Sequence, residues 1–213
     1  MTENSEQQIT SVDQLRKLLA QPHELTRQKI HRKLDPQMIE FLTRSPLIFI
    51  ATSDPAGLPT VSPKGDPTGF ISVVNGQTLH VPERPGNKLL HSFENILSNP
   101  KLGLIALVPG MEETLRISGD AKLLANEKLN ERYAVNGKPA LLVVEIKIER
   151  CFFHCAKAFK RSRCWQPEHW PDSMKISFGQ SVAANRNRGR LNSKAVETAV
   201  NIAVDRDYKN NLY

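Results

Sequence analysis

The sequence predicts an α+β fold that is mainly β: a small six-stranded barrel with helices at its ends. Short apolar or alternating runs separated by turn signals fill the stretch from Leu47 to Ile148, as strands do. Two hairpin signals fall between Leu47 and Pro82, which makes the sheet antiparallel. Helical signals flank this stretch and interrupt it only briefly. Closing such a sheet on itself removes the exposed edges that open sheets must guard. At 213 residues the chain is long enough for one domain with a sizeable core.

Residues 11–45 read as two helices, with Ser11 and Asp35 as N-caps and Pro36 at a first helical position. Leu47–Thr52 is a short apolar run. The turn Asp54-Pro55-Ala56-Gly57 follows, then a second extended piece, Pro59–Gly65. Gly69–Val74 and Gln77–Pro82 flank Asn75-Gly76, a pair suited to a type I′ turn. Arg84-Pro85-Gly86 turns the chain into a helix over Asn87–Leu97, closed by Ser98-Asn99-Pro100. Leu102–Val108, Thr114–Leu124 and Leu141–Ile148 are further strands, and a short helix, Asn126–Tyr133, lies between the last two. The β pattern stops after Arg150. His154–Ser162 then reads as a helix, 166–192 as a long irregular loop, and Ser193–Val204 as a helix. The expected division is 1–45 as helices packing on the barrel, 46–150 as the barrel, and 151–213 as a segment completing a site.

Composition narrows the function. The chain is 39% hydrophobic and 24% charged, which excludes wholesale disorder. Three cysteines exclude a disulfide-stapled secreted scaffold. The polar start MTENSEQQ is unlike a signal peptide, and the longest apolar stretch, Leu102–Met111, is too short to span a membrane. A cytoplasmic protein with no membrane partner is expected. Of the net charge of +7, six units sit within residues 151–190, so the excess is a local feature that calls for an anionic partner.

Four constellations carry chemistry. In Glu83-Arg84-Pro85-Gly86-Asn87-Lys88, a helix start offers unpaired amides, Gly86 lets a ligand approach, and Arg84 and Lys88 add charge. This is a phosphate cradle or, equally, a solvated turn. In Thr60–Asp66, alternation puts Ser62 and Lys64 on one face, as ligand contacts or as an edge strand with a protective lysine. The third runs from Cys151 to Trp165. Its Cys/His spacing lacks a paired knuckle and a fourth ligand, so no metal is assigned. On a helix His154, Lys157 and Arg161 would share a face, with Trp165 one turn on, suiting an anionic planar ligand or a surface stripe. The fourth, Asn185-Arg-Asn-Arg-Gly-Arg190, is a candidate for nucleic acid, but it lacks interleaved aromatics and reads more simply as a flexible basic loop. No nucleophile elbow, zinc-protease helix or Walker sequence occurs.

In their order the segments FIATSDPAGLPTVSPKGDPTGF, LHVPERPGNKLLHSFENILSNPKLGLIALVPG, ETLRISGDAKL and FFHCAKAFKRSRCW resemble the pyridoxamine 5′-phosphate oxidase-related, FMN-binding split β-barrel family. They are most similar to a bacterial subgroup sharing the PGNK, LRxxG and HCxKAxxRSxxW segments. The resemblance covers about residues 25–165, and the ending Asp207-Tyr208…Tyr213 is also family-like. It implies a split β-barrel of FMN-binding type and a homodimer with FMN at the interface. Ser62, Lys64 and Gly65 would lie along the flavin ring and ribityl chain. Arg84, Gly86, Asn87 and Lys88 match the phosphate segment, and Arg116 the polar position on the LRISG strand. Lys157, Arg161 and Trp165 match a segment that approaches the ring from the partner subunit. The helix after Lys88 is about one turn longer than in the pyridoxamine phosphate oxidases proper, and their substrate-contacting Arg/His motif is absent.

The expectation is therefore an FMN-dependent oxidoreductase acting on a small, unnamed substrate. The basic segment, including Arg186, Arg188 and Arg190, suits an acidic one. Two alternatives share the same residues: a non-catalytic flavin or deazaflavin carrier of this fold, and a nucleic-acid-binding module using 151–190.

Overall fold

The computed structural model describes residues 8–185 and 193–213. Helices α1 (Val12–Leu19), α2 (Glu24–Gln28) and α3 (Pro36–Arg44) precede the sheet, so the stretch read as two helices holds three. Ser11 and Asp35 cap as expected, accepting from the amides of Gln14 and Met38 at 3.2 and 2.8 Å. Only α3 buries side chains, Met38, Phe41 and Leu42; α1 and α2 bury none.

Among the described residues seven strands then form one antiparallel sheet: β1 (Leu47–Ser53), β2 (Pro59–Gly65), β3 (Ser72–Asn75), β4 (Thr78–Pro82), β5 (Lys101–Leu107), β6 (Thr114–Leu124) and β7 (Val143–His154). Their order is β2-β1-β5-β6-β7-β4-β3. The expected count of six is corrected to seven, because every extended segment, the proline-bearing Pro59–Gly65 included, pairs with a neighbour. The pairings among the described residues form an open ladder with β2 and β3 at its edges. Pro59 and Pro63 blunt the β2 edge, and β3 is kept to four residues.

Alternation along β1 sends Ile48 and Ile50 inward, where they meet Leu104 of β5, Ile117 of β6 and Ile146 of β7. Burying each such side chain contributes about 1.5–3 kcal/mol. Helix α4 (His91–Ser98) lies against β1, β2 and β6, with Ile96 buried. Helix α5 (Glu127–Arg132), capped by Asn126, bridges β6 and β7. After β7 come α6 (Lys157–Ser162), a 3-10 turn at Pro167–His169, α7 (Phe178–Asn185) and α8 (Ser193–Asn210). The stretch 166–192 is thus not irregular throughout. Helices α7 and α8 pack so closely that a Cβ on Gly179 would lie 2.1 Å from the Glu197 carbonyl oxygen.

Three further expectations are corrected. Asn75-Gly76 does not form a type I′ turn, since neither residue has positive φ. Instead Asn75 Oδ1 accepts from the Gln77 amide at 2.9 Å, and the Gly76 carbonyl accepts from Leu34 N at 2.8 Å. Helix α4 starts at His91 rather than Asn87, after a loop in which Lys88 and Leu90 both have φ in the left-handed region, at 60° and 59°. Third, the β pattern does not stop at Arg150: β7 continues through His154. A β-bulge explains the misreading. Ser118 faces Arg150 while Gly119 faces Ile148, so Glu149 is an extra residue. Glu149 and Arg150 are both exposed, which breaks the alternation before Cys151 turns inward again. His154 is therefore on a strand and shares no helical face with Lys157 and Arg161.

Two predictions follow from this bulge and strand. A Cβ on Gly119 would lie 2.0 Å from the Lys147 carbonyl oxygen, whereas one on Gly103 would meet Ala51 at an ordinary 4.0 Å. Gly119→Ala should lower unfolding free energy by at least about 2 kcal/mol in urea titrations, and Gly103→Ala by less than about 1 kcal/mol. Cys151 is buried, and that burial, helped by Asp35, pushes its thiol up to about 11; Cys155 and Cys164 are exposed. Brief alkylation of the native protein at pH 8 should label Cys155 and Cys164 and spare Cys151, as read by peptide mass spectrometry.

Candidate functional site

Two of the segments singled out in the sequence meet at one cleft of about 410 Å³, between edge strand β2 and the chain from Glu83 to Phe93. Ser62 and Lys64 reach it from β2, and Arg84, Gly86, Asn87 and Lys88 line the opposite wall. Strand alternation does the first part: Thr60, Ser62 and Lys64 share the face covered by α4, while Val61, Pro63 and Gly65 are exposed on the other. Gly65, at the end of the strand, is outside the lining; it pairs with Leu47, and a Cβ there would sit 3.3 Å from the Pro46 carbonyl oxygen.

The floor is a hydroxyl and amide network. Ser62 Oγ and Ser92 Oγ are 2.8 Å apart, and Asn95 Nδ2 donates to Thr52 and Thr60 at 3.0 and 3.2 Å. Lys64 is half enclosed. Its ammonium pairs with Glu83 at 2.7 Å and stands 4.8 Å from the centre of the Phe93 ring. Arg84 is anchored more firmly: Nε donates to Asp66 at 2.7 Å and Nη2 to the Tyr133 carbonyl at 2.7 Å. Asp66 in turn accepts from the Tyr213 hydroxyl at 2.9 Å. Tyr133 carries its own support, His80 Nδ1 at 2.9 Å, and His80 Nε2 contacts Glu145 at 3.0 Å.

Charge in the cleft is unevenly committed. Glu83 neutralises Lys64 and Asp66 neutralises Arg84, whereas Lys88 is exposed and in no ion pair among the described residues. Arg84 Nη1 is buried with no hydrogen-bond partner among the described residues. Helix α4 opens toward the cleft with Leu90 at its N-cap and no side-chain cap, leaving its first amides to other acceptors. Left-handed backbone at two non-glycine residues, Lys88 and Leu90, is the kind of strain that concentrates at ligand clamps. A cleft with one net cation, uncapped amides and an orphan guanidinium nitrogen suits an anion.

The remaining residues singled out in the sequence lie elsewhere in the chain. Arg116 is on the outward face of the sheet, in a row that runs Pro63, Phe49, Ile105, Arg116, Phe152 across five strands. Its guanidinium lies 5.7 Å from the Phe152 ring centre, and Lys29 Nζ lies 5.4 Å from the same ring. His154 occupies this face too; desolvation first, then Arg116 and Lys29, hold its imidazole below the usual range. Lys157 and Arg161 are exposed on α6. Trp165 packs against the β5–β6 turn, donating from Nε1 to the Met111 carbonyl at 2.7 Å and stacking on Phe159 at 5.7 Å between centroids. None of these five residues lines the cleft in its own chain. Arg186, Arg188 and Arg190 lie outside the described residues.

Sequence reasoning missed Asp66, Ser92, Phe93, Asn95, Tyr133 and Tyr213. Asp66 had a signal, an acid two residues beyond Lys64 at the end of a strand. Tyr213 fell within the ending read as family-like but was given no role there, and Tyr133 had no signal; both reach Arg84 only through the fold.

Several solved structures are similar to part of this chain. HupZ of Group A Streptococcus is 18% identical, with 56% of this chain and 93% of that one covered and a TM-score of 0.46. A Lactobacillus delbrueckii protein provisionally described as a pyridoxamine 5′-phosphate oxidase is 26% identical over 57% and 95%, with a TM-score of 0.45. The heme-storage protein HutZ of Vibrio cholerae is 16% identical over 56% and 94%, with a TM-score of 0.38. No curated protein matches the chain. The family model described as pyridoxamine 5′-phosphate oxidase matches residues 34–155, from the residue before α3's cap to the end of β7, and takes in both walls of the cleft. The chain belongs to the pyridoxamine 5′-phosphate oxidase family.

Proposed function

We propose that the protein binds FMN in the β2–α4 cleft and serves as an FMN-dependent oxidoreductase for a small substrate, working as a homodimer. The observation that carries this reading is the anion-ready wall: exposed Lys88 beside Gly86 and the uncapped start of α4, with Lys88 in no ion pair and Arg84 Nη1 without a partner among the described residues. These residues fit a flavin phosphate. Lys88 and the loop amides would hold it, and Ser62 and Lys64 stand where the ribityl chain or ring edge would pass. FMN would supply the redox chemistry itself, so the chain's contribution is to bind, orient and exclude water.

A phosphate dianion facing one uncommitted lysine is under-neutralised, and this favours a second chain at the site. Lys157 and Arg161 are exposed and in no ion pair among the described residues, yet remote from the cleft of their own chain. The outward row of Phe49, Ile105 and Phe152, partly exposed and apolar around Arg116, offers a surface for pairing two sheets. In the dimer reading Lys157, Arg161 and Trp165 serve the partner's cleft, and Arg116 lies near the join.

Purified protein, or protein reconstituted with FMN, should be yellow with flavin absorption bands. Lys88→Ala should weaken FMN binding by about 1.5–3 kcal/mol in fluorescence-quenching titrations. Riboflavin, which lacks the phosphate, should bind wild type and variant alike. Equal loss of both ligands would remove the phosphate assignment. A colourless protein that takes up no flavin but binds DNA with a steep salt dependence would replace this reading with the nucleic-acid one.

A further inference from the structure

Tyr213 lies far in sequence from the cleft and yet makes three contacts around one residue of its wall, Arg84. Its hydroxyl donates to Asp66 Oδ1 at 2.9 Å, on the carboxylate whose other oxygen receives Arg84 Nε at 2.7 Å. Its ring lies 5.9 Å from the Arg84 guanidinium carbon. Its carbonyl accepts from Lys138 Nζ at 2.6 Å, in the turn between α5 and β7. One residue after α8 therefore joins the end of β2, the loop after β4 and the α5–β7 turn around a single arginine.

The geometry identifies what each group does. Asp66 has a side chain only 1% exposed, and Arg84 is 12% exposed, so the pair is nearly dry. A carboxylate in such surroundings accepts several donors, and with Tyr213 in place Asp66 is held by two. The same bond raises the Tyr213 phenol above its ordinary range, with burial adding to the shift. Removing the hydroxyl frees one carboxylate oxygen, lets Asp66 rotate, and so loosens Arg84, which lines the cleft beside Lys88.

We propose that the segment after α8 is a latch on the cleft, with Tyr213 a positioning residue that holds Arg84 in place for an anion bound there. This rests on reading the cleft as the site of a cofactor phosphate.

The test compares Tyr213→Phe with Asn201→Ala. Asn201 ties α7 to α8 through Gly179 N at 3.0 Å and Ser177 Oγ at 2.9 Å, so its loss loosens the helical pair and leaves the Tyr213–Asp66 bond in place. Two readouts are taken: the ratio of FMN to riboflavin affinity, and hydrogen exchange across residues 83–90 in flavin-free protein. Tyr213→Phe should lower FMN affinity roughly ten-fold, leave riboflavin affinity unchanged and speed exchange in that loop. Asn201→Ala should leave both the ratio and the loop exchange at wild-type values. Wild-type exchange across 83–90 in Tyr213→Phe, or equal loss of both flavins, would overturn the latch. If wild type binds neither flavin the cofactor reading fails by itself, and loop exchange alone then decides for or against the latch.

Discussion

A carboxylate that is 1% exposed, Asp66 at the end of β2, receives Arg84 Nε at 2.7 Å and so joins an edge strand to the loop that follows β4. The two segments are not neighbours in the sheet: β2 and β4 lie near opposite ends of the ladder. Together with the Lys64–Glu83 pair, this pair holds the two segments across the gap. Loss of either partner would leave an uncompensated buried charge, at a cost of about 3–5 kcal/mol. The Tyr133 carbonyl and the Tyr213 hydroxyl complete the pair, and the His80–Glu145 contact behind Tyr133 extends the same polar seam to β7. Arg84 is thus held by Asp66 and the Tyr133 carbonyl, with Tyr213 on the same carboxylate, while its remaining nitrogen, Nη1, has no partner among the described residues.

This arrangement divides the cations of the cleft into two kinds. Lys64 and Arg84 carry charge that Glu83 and Asp66 already balance, and they shape the walls. Lys88 carries charge that nothing described balances, on a backbone held in the left-handed region. In the proposed reading, attraction for a ligand's phosphate comes chiefly from Lys88 and the amides beside it. The basic helix α6 and Trp165 stand apart from the cleft, against the β5–β6 turn. In the dimer reading this separation is what lets one chain supply the floor and walls and the other the cover.

Local chemistry made much of the fold legible. Ser11, Asp35 and Pro36 marked helix starts through groups that act within four residues, and the alternation of Thr60, Ser62 and Lys64 marked a shared face. Where the sequence misled, the deciding interaction was distant. Asn75-Gly76 suits a type I′ turn by itself, but Leu34 N draws its carbonyl into another geometry. The end of β7 was hidden by a bulge whose cause lies across the ladder at Gly119, and with it went the expected helical face of His154. The helix start was displaced to His91 by two left-handed residues, Lys88 and Leu90, that no composition rule flags. Tyr213 reached the site from the far end of the described chain.

A crystal structure of the protein soaked with FMN tests the central claim most directly. The account predicts flavin density in the β2–α4 cleft, with the phosphate within hydrogen-bonding distance of Lys88 and the loop amides at Gly86–Lys88, and with α6 of a second chain closing over the ring. Density elsewhere on the sheet, or a phosphate turned away from Lys88, would contradict it.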